Sequence, residues 1–330
     1  MAKVMISVVA TVGFLGLGLY LVTARNVPAK NLTDKMCMFN DSDLIAPNTT
    51  PEAEQIYQRA RAHDLTIMVE MPETIPAELR GIRPDRVEAR RLYSQAAEMG
   101  HVGAMNNLSV YEQNGWGHPD PDSFPRDHQA AFRWNVEMAR RGDVRGYIGM
   151  GLYHHFGRAG PADPTRAQAC FIEAAKRDDL RGILLLGRHD LNLLQSLIPV
   201  PANPDRIARG QALLEEVSRR GDPEGFNQLY LYYSSKDKTP LKREYYAREA
   251  AKLTNPFFGT RVMPIYKFED EPLYDPDMVA CLNALGPSEG PLIDEKCPRP
   301  DGPLTRGAAG LPPAPVQPFD LSSLTVIRGR

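Results

Sequence analysis

The residues of this 330-residue chain that could carry chemistry are few: the adjacent pair His154-His155, a further His189, and four cysteines, Cys37, Cys170, Cys281 and Cys297. Two ligands on one helix share a face only at i, i+3 or i+4 spacing, and neighbours point about 100° apart. His154-His155 therefore reads as a solvated pair near a helix end, not a chelate. No cysteine pair has the C-x-x-C spacing of a metal site. Cys281 and Cys297, in a proline-rich stretch, read as a disulfide, worth ~3 kcal/mol for a loop of that size. There is no G-x-S-x-G, no H-E-x-x-H and no Walker loop. Nothing gathers a nucleophile with a base, so the expectation is a non-enzyme with no cofactor and no metal.

Composition bounds the alternatives. Charged residues make up 24% and hydrophobic residues 42%, the proportions of an ordinary globular protein. Lys3, Arg25 and Lys30 are the only charges before residue 31, leaving 36 basic against 41 acidic side chains in the remainder. A mildly acidic body gives no electrostatic reason to bind nucleic acid. Residues 4–24 carry no charge, and as a helix they would span about the thickness of a bilayer core. This is the layout of an export signal or an uncleaved signal anchor, with Val22-Thr23-Ala24 as a small-residue cleavage site. No cysteine lies in the first 36 residues, which excludes a lipoprotein anchor. Gly13, Gly16 and Gly18 fall inside this segment and read as helix-packing residues rather than a nucleotide loop.

The elements that position everything else come from an internal repeat. Related segments are anchored at Asp64, Gly100, Gly142, Asp178, Gly221 and Thr254. Eight residues before each anchor lie Ile56, Leu92, Trp134, Cys170, Leu213 and Tyr246; four before lie Ala60, Ala96, Met138, Ala174, Val217 and Ala250. Eleven before lie Ala53, Ala89, Ala131, Ala167, Gly210 and Arg243. These offsets trace one face of a helix, apolar or small except at Arg243. After the four central anchors a second helix follows, with Ala104, Gly146, Gly182 and Gly225 at offset four, and Leu108, Met150, Leu186 and Leu229 at offset eight. Tyr111, Tyr153, His189 and Tyr232 occupy offset eleven. Each unit is a helix, a tight turn through a left-handed residue, and a second helix. In this register His189 is a hydrogen-bonded core residue and Cys170 an apolar filler.

The stretch RLYSQAAEMGHVGAMNNLSVYEQNGWG, followed by RDHQAAFRW, resembles the Sel1-like repeat family, relatives of the tetratricopeptide repeats. Ala89, Tyr93, Ala96, Ala97, Gly100, Ala104, Leu108, Tyr111, Gly115 and Gly117 stand at the family's positions. The match is strong for residues 87–195 and looser for 206–260. It departs at Asp178, which replaces the turn glycine, and in the linkers 196–205 and 235–240. The resemblance implies an all-α fold, an α-solenoid of four to five helix pairs that offers an extended surface to protein partners. Residues 1–30 are then the signal peptide or anchor, and 31–86 a polar lead with a capping helix over 51–64 and an irregular connector. Residues 87–260 are the repeat solenoid. Residues 261–330 form a C-terminal proline-rich extension, with a short helix over 277–285 and a tail from Gly286 that is extended or disordered until a partner orders it.

Candidate contact residues are those that break the register. Tyr233 lies twelve after its anchor, where the sister units carry Glu112, His154 and Asp190, and Tyr230 precedes it by one turn. An aromatic at a polar offset reads either as a partner contact or as packing under the next linker. Trp116 and Phe124 sit among acids in the loop 114–125, which suits a binding site. The doublets Arg140-Arg141, Lys176-Arg177 and Arg219-Arg220 complement a helix dipole, or form a basic stripe for an acidic partner. By its overall architecture the chain resembles periplasmic immunity proteins of type VI secretion lipase effectors: a signal or anchor, an acidic lead, divergent repeats and the Cys297-Pro298 segment. The resemblance implies a periplasmic protein-binding module that neutralises a lipase toxin, anchored in the inner membrane by residues 4–24 or exported and cleaved. The alternative is a general envelope scaffold.

Overall fold

Aspartate and asparagine stand immediately before most of the helices. Asp85, Asp127, Asp143, Asp163, Asp179 and Asn203 each accept a hydrogen bond from an amide of the first helical turn, and Thr50 and His101 do the same. Each cap satisfies an otherwise orphaned donor, typically worth about 1 kcal/mol. Pro51, Pro164 and Pro204 occupy first helical positions, where no amide is missed.

A computed structural model describes residues 37, 39, 44–45, 49–64, 67, 69, 71–115, 126–194, 203–253, 273, 275–284, 293–299, 301–302, 304–314 and 317–327. These residues all lie in one compact unit, residues 36–330. Its helices are α1 (Pro51–His63), α2 (Arg86–Glu98), α3 (Val102–Asn114), α4 (His128–Arg140), α5 (Val144–Phe156), α6 (Pro164–Lys176) and α7 (Leu180–Asp190). They continue with α8 (Pro204–Arg219), α9 (Glu224–Ser235), α10 (Pro240–Leu253), α11 (Pro276–Ala284) and the single turn α12 (Ile293–Lys296). The described residues contain no strand. From α1 to α10 each helix packs against the helix before it and the helix after it. The pairs α2–α3, α4–α5, α6–α7 and α8–α9 are four complete repeat units, and α10 is the first helix of another. No described helix is long and apolar enough to cross a membrane. Residues 4–24 lie outside the described residues, as does the anchor Thr254.

The repeat register is the core. Ile56, Leu92, Cys170, Leu213 and Tyr246 are buried at one offset, and Ala60, Ala96, Met138, Ala174, Val217 and Ala250 at another. Gly100, Gly142 and Gly221 turn with positive φ, and Asp178 takes the same left-handed turn at φ 61°. Asp64 departs from the expected turn. Its φ is −85° and its carboxylate instead accepts from the hydroxyls of Tyr93 and Tyr111. It ends α1 as a buried acceptor, and two 3₁₀ turns, Pro72–Thr74 and Ala77–Leu79, lie between α1 and α2.

Small residues at offset four let paired helices touch. A Cβ at Gly225 would overlap the carbonyl oxygen of Leu214, and one at Gly146 would overlap the backbone nitrogen of Ala139. Backbone cannot step aside as a side chain can. Gly225→Ala is therefore expected to lose roughly 1–3 kcal/mol in urea denaturation. Gly81→Ala, with nothing within 4 Å of its Cβ position, should stay within about 0.5 kcal/mol.

Beyond α10 the disulfide Cys281–Cys297 joins α11 to the residue after α12. Met278, Leu282, Ile293 and Cys297 pack with Ala247 and Ala251 of α10. Glu244, fully buried, accepts from Arg248 at 3.1 Å and Arg299 at 2.7 Å, tying the stapled segment down.

Candidate protein-interaction surface

The proline-rich tail lies along the first helices of the repeats. Ala309 and Leu311 are buried with Leu191, Leu214, Leu229 and Tyr246, and Arg306 pairs with Glu215 of α8 at 3.0 Å. The amide of Phe319 donates to Glu216 at 3.4 Å, Arg209 donates to the carbonyl of Thr325, and the amide of Ile327 donates to Gln168 of α6 at 2.7 Å. The described tail residues are neither wholly extended nor without structure: turns over 306–310 and a 3₁₀ turn at Leu321–Ser323 interrupt them. They are ordered by their own solenoid rather than awaiting a partner. Composition reports that a proline-rich chain builds no core of its own; it does not report that side chains of another element can satisfy its backbone groups.

The polar offset twelve after each anchor is a buried seam, not a solvent face. Glu112 is 6% exposed, Asp190 5% and Tyr233 2%, and His154 is half-buried. The second helix of each unit is covered on one side by its own first helix and on another by the first helix of the next unit. It therefore buries a wider arc than a helix with one neighbour. Asp190 is the clearest case: it accepts from Arg209 at 2.6 Å, Gln168 at 3.1 Å and Arg206 at 3.4 Å. Arg209 also holds the tail, so this ion cluster joins repeat packing to tail docking.

This placement corrects the contact reading of Tyr233. Its ring stacks on Tyr246 at 5.6 Å with the planes 8° apart, and Gln211 donates to its hydroxyl at 2.8 Å. Packing accounts for it. Tyr230, one turn earlier, is partly buried where the stapled segment and the tail cluster meet. Trp116 and Phe124 lie outside the described residues. The arginines of the three basic doublets pair on their own helices: Arg140 and Arg141 with Glu137, Arg177 with Glu173, and Arg219 and Arg220 with Glu216. Glu216 is held down to about 2 against its burial by hydrogen bonds from these two arginines and from the Phe319 amide.

The His154-His155 pair departs from expectation, whereas His189 is buried as its register position implies. His155 is 1% exposed, not solvated, and its Nδ1 lies 3.3 Å from Nδ1 of His189, also 1% exposed. One ring must donate and the other accept, so the two rings are not both cations. Burial pulls His189 well below the usual imidazole range, helped by Arg206, His155 and Arg209. Burial likewise lowers His155 and brings His154 down to about 4. Cys170 is no apolar filler: it is joined to Cys37 of the lead segment, with Cα atoms 4.9 Å apart. The register correctly buries position 170, but a partner 133 residues away in sequence leaves no local signal.

Glu112 gives a pH signature. Burial, reinforced by Asp127 and opposed by Arg90, Arg133 and Trp134, pushes its carboxyl up to about 7. The folded chain keeps a proton there that the unfolded chain releases near 4.5, so stability is lost as pH rises through that window. Glu112→Gln removes this loss. Its stability relative to the parent is expected to rise by about 2–3 kcal/mol between pH 4 and pH 8, measured as urea midpoints at both pH values. An unchanged difference would remove Glu112 as the source.

A family model described as Sel1 repeat matches residues 77–101, 102–143 and 144–179. No curated protein matches the chain. Among solved structures, a protective antigen of uropathogenic Escherichia coli displaying an SLR fold aligns at 19% identity with a TM-score of 0.46. The alignment covers 65% of this chain and 44% of that one, so this chain spans less than half the length of that relative. A Sel1 repeat protein from Oxalobacter formigenes aligns at 24% identity over 60% of this chain and 72% of its own, with a TM-score of 0.41. An immunity protein from Pseudomonas aeruginosa aligns at 21% identity over 87% of this chain and 97% of its own, with a TM-score of 0.40. The second and third matched blocks begin at the first residues of α3 and α5. Residues 77–179 of this chain are Sel1 repeats.

Proposed function

We propose that this chain is a non-enzymatic, protein-binding solenoid of the periplasm that binds and neutralises a lipase toxin delivered by type VI secretion. Residues 4–24 hold it at the inner membrane. The observation that carries the binding role is the tail: side chains of α6 and α8 bond its backbone, and Ala309 and Leu311 are buried with Leu214 of α8 and Tyr246 of α10. Such a surface recognises protein rather than a small molecule. Two disulfides, one joining the lead to the repeats and one closing the tail, support an oxidising compartment. The choice of a lipase toxin follows the sequence resemblance. The loop bearing Trp116 and Phe124, together with the partly buried Tyr230, is the proposed contact region.

The test is recovery of partners by the full chain, tagged at one end and expressed in its own host. One stoichiometric lipase is the expected result, together with loss of viability on gene deletion only when that toxin is present. Recovery of several envelope proteins, with no toxin-dependent phenotype, would replace this reading with the envelope scaffold.

A further inference from the structure

We propose that Cys37, His154 and Cys170 form a two-state site: a disulfide with a bystander imidazole in the oxidised chain, and a Cys-His-Cys zinc site in the reduced one. The three residues come from separate elements. Cys37 belongs to the lead, His154 to the last turn of α5, and Cys170 to the middle of α6. Their ligand atoms all lie within 4.8 Å of one another, and among the described residues no other group of three such side chains converges in this way. A tetrahedral zinc with sulfur at about 2.3 Å and nitrogen at about 2.0–2.1 Å needs ligand atoms roughly 3.5–3.8 Å apart. Opening the disulfide is the small separation that reaches this spacing.

The surroundings suit a metal. Cys170 is 0% exposed and Cys37 4%, so the sulfurs are shielded from water. The His154 ring is oriented edge-on to Phe132, 5.5 Å between centroids. Two of the three donors sit on helices that pack against each other, so the pair is positioned before any ion arrives. The Sγ of Cys37 lies 3.9 Å from the Arg166 carbonyl oxygen. Cys281 and Cys297 have no histidine or carboxylate converging with them among the described residues, so the same chemistry is not available there.

The two states interconvert by balanced chemistry. A dithiol reductant exchanges with the Cys37–Cys170 bond. It leaves as its own disulfide, and each cysteine sulfur gains one proton. Zinc then displaces those two protons to solvent, forming two Zn–S bonds and one Zn–N bond with His154, and water completes the coordination. Disulfide and metal exclude one another, because a bonded sulfur has no thiolate to offer.

The experiment uses the full chain with Cys281→Ser and Cys297→Ser, so that only the proposed thiols remain. Cobalt is added to oxidised and to phosphine-reduced protein, followed by zinc, with circular dichroism recorded throughout. The expected result is one cobalt per reduced chain, with sulfur-to-cobalt charge-transfer and tetrahedral ligand-field bands that zinc removes, and none in the oxidised chain. His154→Ala should keep the disulfide and the helical signal of the oxidised chain, yet bind zinc at least tenfold more weakly when reduced. Zinc should also raise the melting temperature of the reduced parent, or refold it where reduction unfolds it. A folded reduced chain that takes up no cobalt overturns the proposal. So does a reduced chain that zinc fails to refold, or His154→Ala binding as tightly as the parent.

Discussion

Asp190→Ala is expected to destabilise the chain by about 3–5 kcal/mol, a large part of the total stability of a typical domain. The carboxylate is fully buried and stands between two guanidiniums that are themselves only 3% and 9% exposed, those of Arg206 and Arg209. Removing it leaves two like charges in a site with little water to screen them. The cost is that of stranded charge, not of one lost contact. Burial already lowers the Arg206 guanidinium from its ordinary range, with Asp190 opposing that shift. Asp190→Asn keeps acceptor geometry but not charge and should fall in between. The contrast is Glu88→Ala, whose partner Arg91 is 59% exposed; such pairs are worth about 0–1 kcal/mol. Urea denaturation of the three variants checks the order. A loss below 1 kcal/mol for Asp190→Ala would mean that water reaches the arginines. Because Arg209 also holds the Thr325 carbonyl, the variant should expose the tail to protease before global unfolding, whereas Glu88→Ala should not.

Cys37→Ala is expected to cost up to about 5 kcal/mol in the oxidised chain, more than Cys281→Ala at ~3 kcal/mol. The difference follows from loop length. Cys37–Cys170 spans 133 residues and Cys281–Cys297 spans 16, and the entropy removed from the unfolded chain grows with the logarithm of the loop. The site matters as well, since Cys170 is buried in the middle of α6 and the bond ties the lead to the repeat core. Reducing agent should lower the parent's urea midpoint by the sum of both effects and leave a chain without cysteines unmoved. Equal losses for the two single variants would show that the unfolded chain keeps residues 37 and 170 close even without the bond.

Much of this molecule is legible in the sequence because its fold repeats local rules. Small or apolar residues at offsets four and eight from Gly100, Gly142, Asp178 and Gly221 fix both helices of a unit and their shared face. The aspartates before the helices fix where they start. Asp178 could be read as a turn residue because the glycine in its sister units named the backbone conformation it had to adopt, and its φ of 61° agrees. Each of these inferences needs only neighbours within one repeat.

What the sequence leaves open lies between elements. Glu112, His154, Asp190 and Tyr233 share one offset whose mostly polar types suggest solvent, and the packing of the next repeat buries it. Cys170 carries the burial signal of a leucine, and only the path of the lead brings Cys37 and His154 to it. The tail from residue 304 has no helical period to read, and its course over α8 and α6 is set by Glu215, Glu216, Arg209 and Gln168, side chains up to 159 residues away. Periodicity records which side of a helix turns inward. The number of neighbours that cover that helix, and which distant segments meet there, is decided only when the chain is packed.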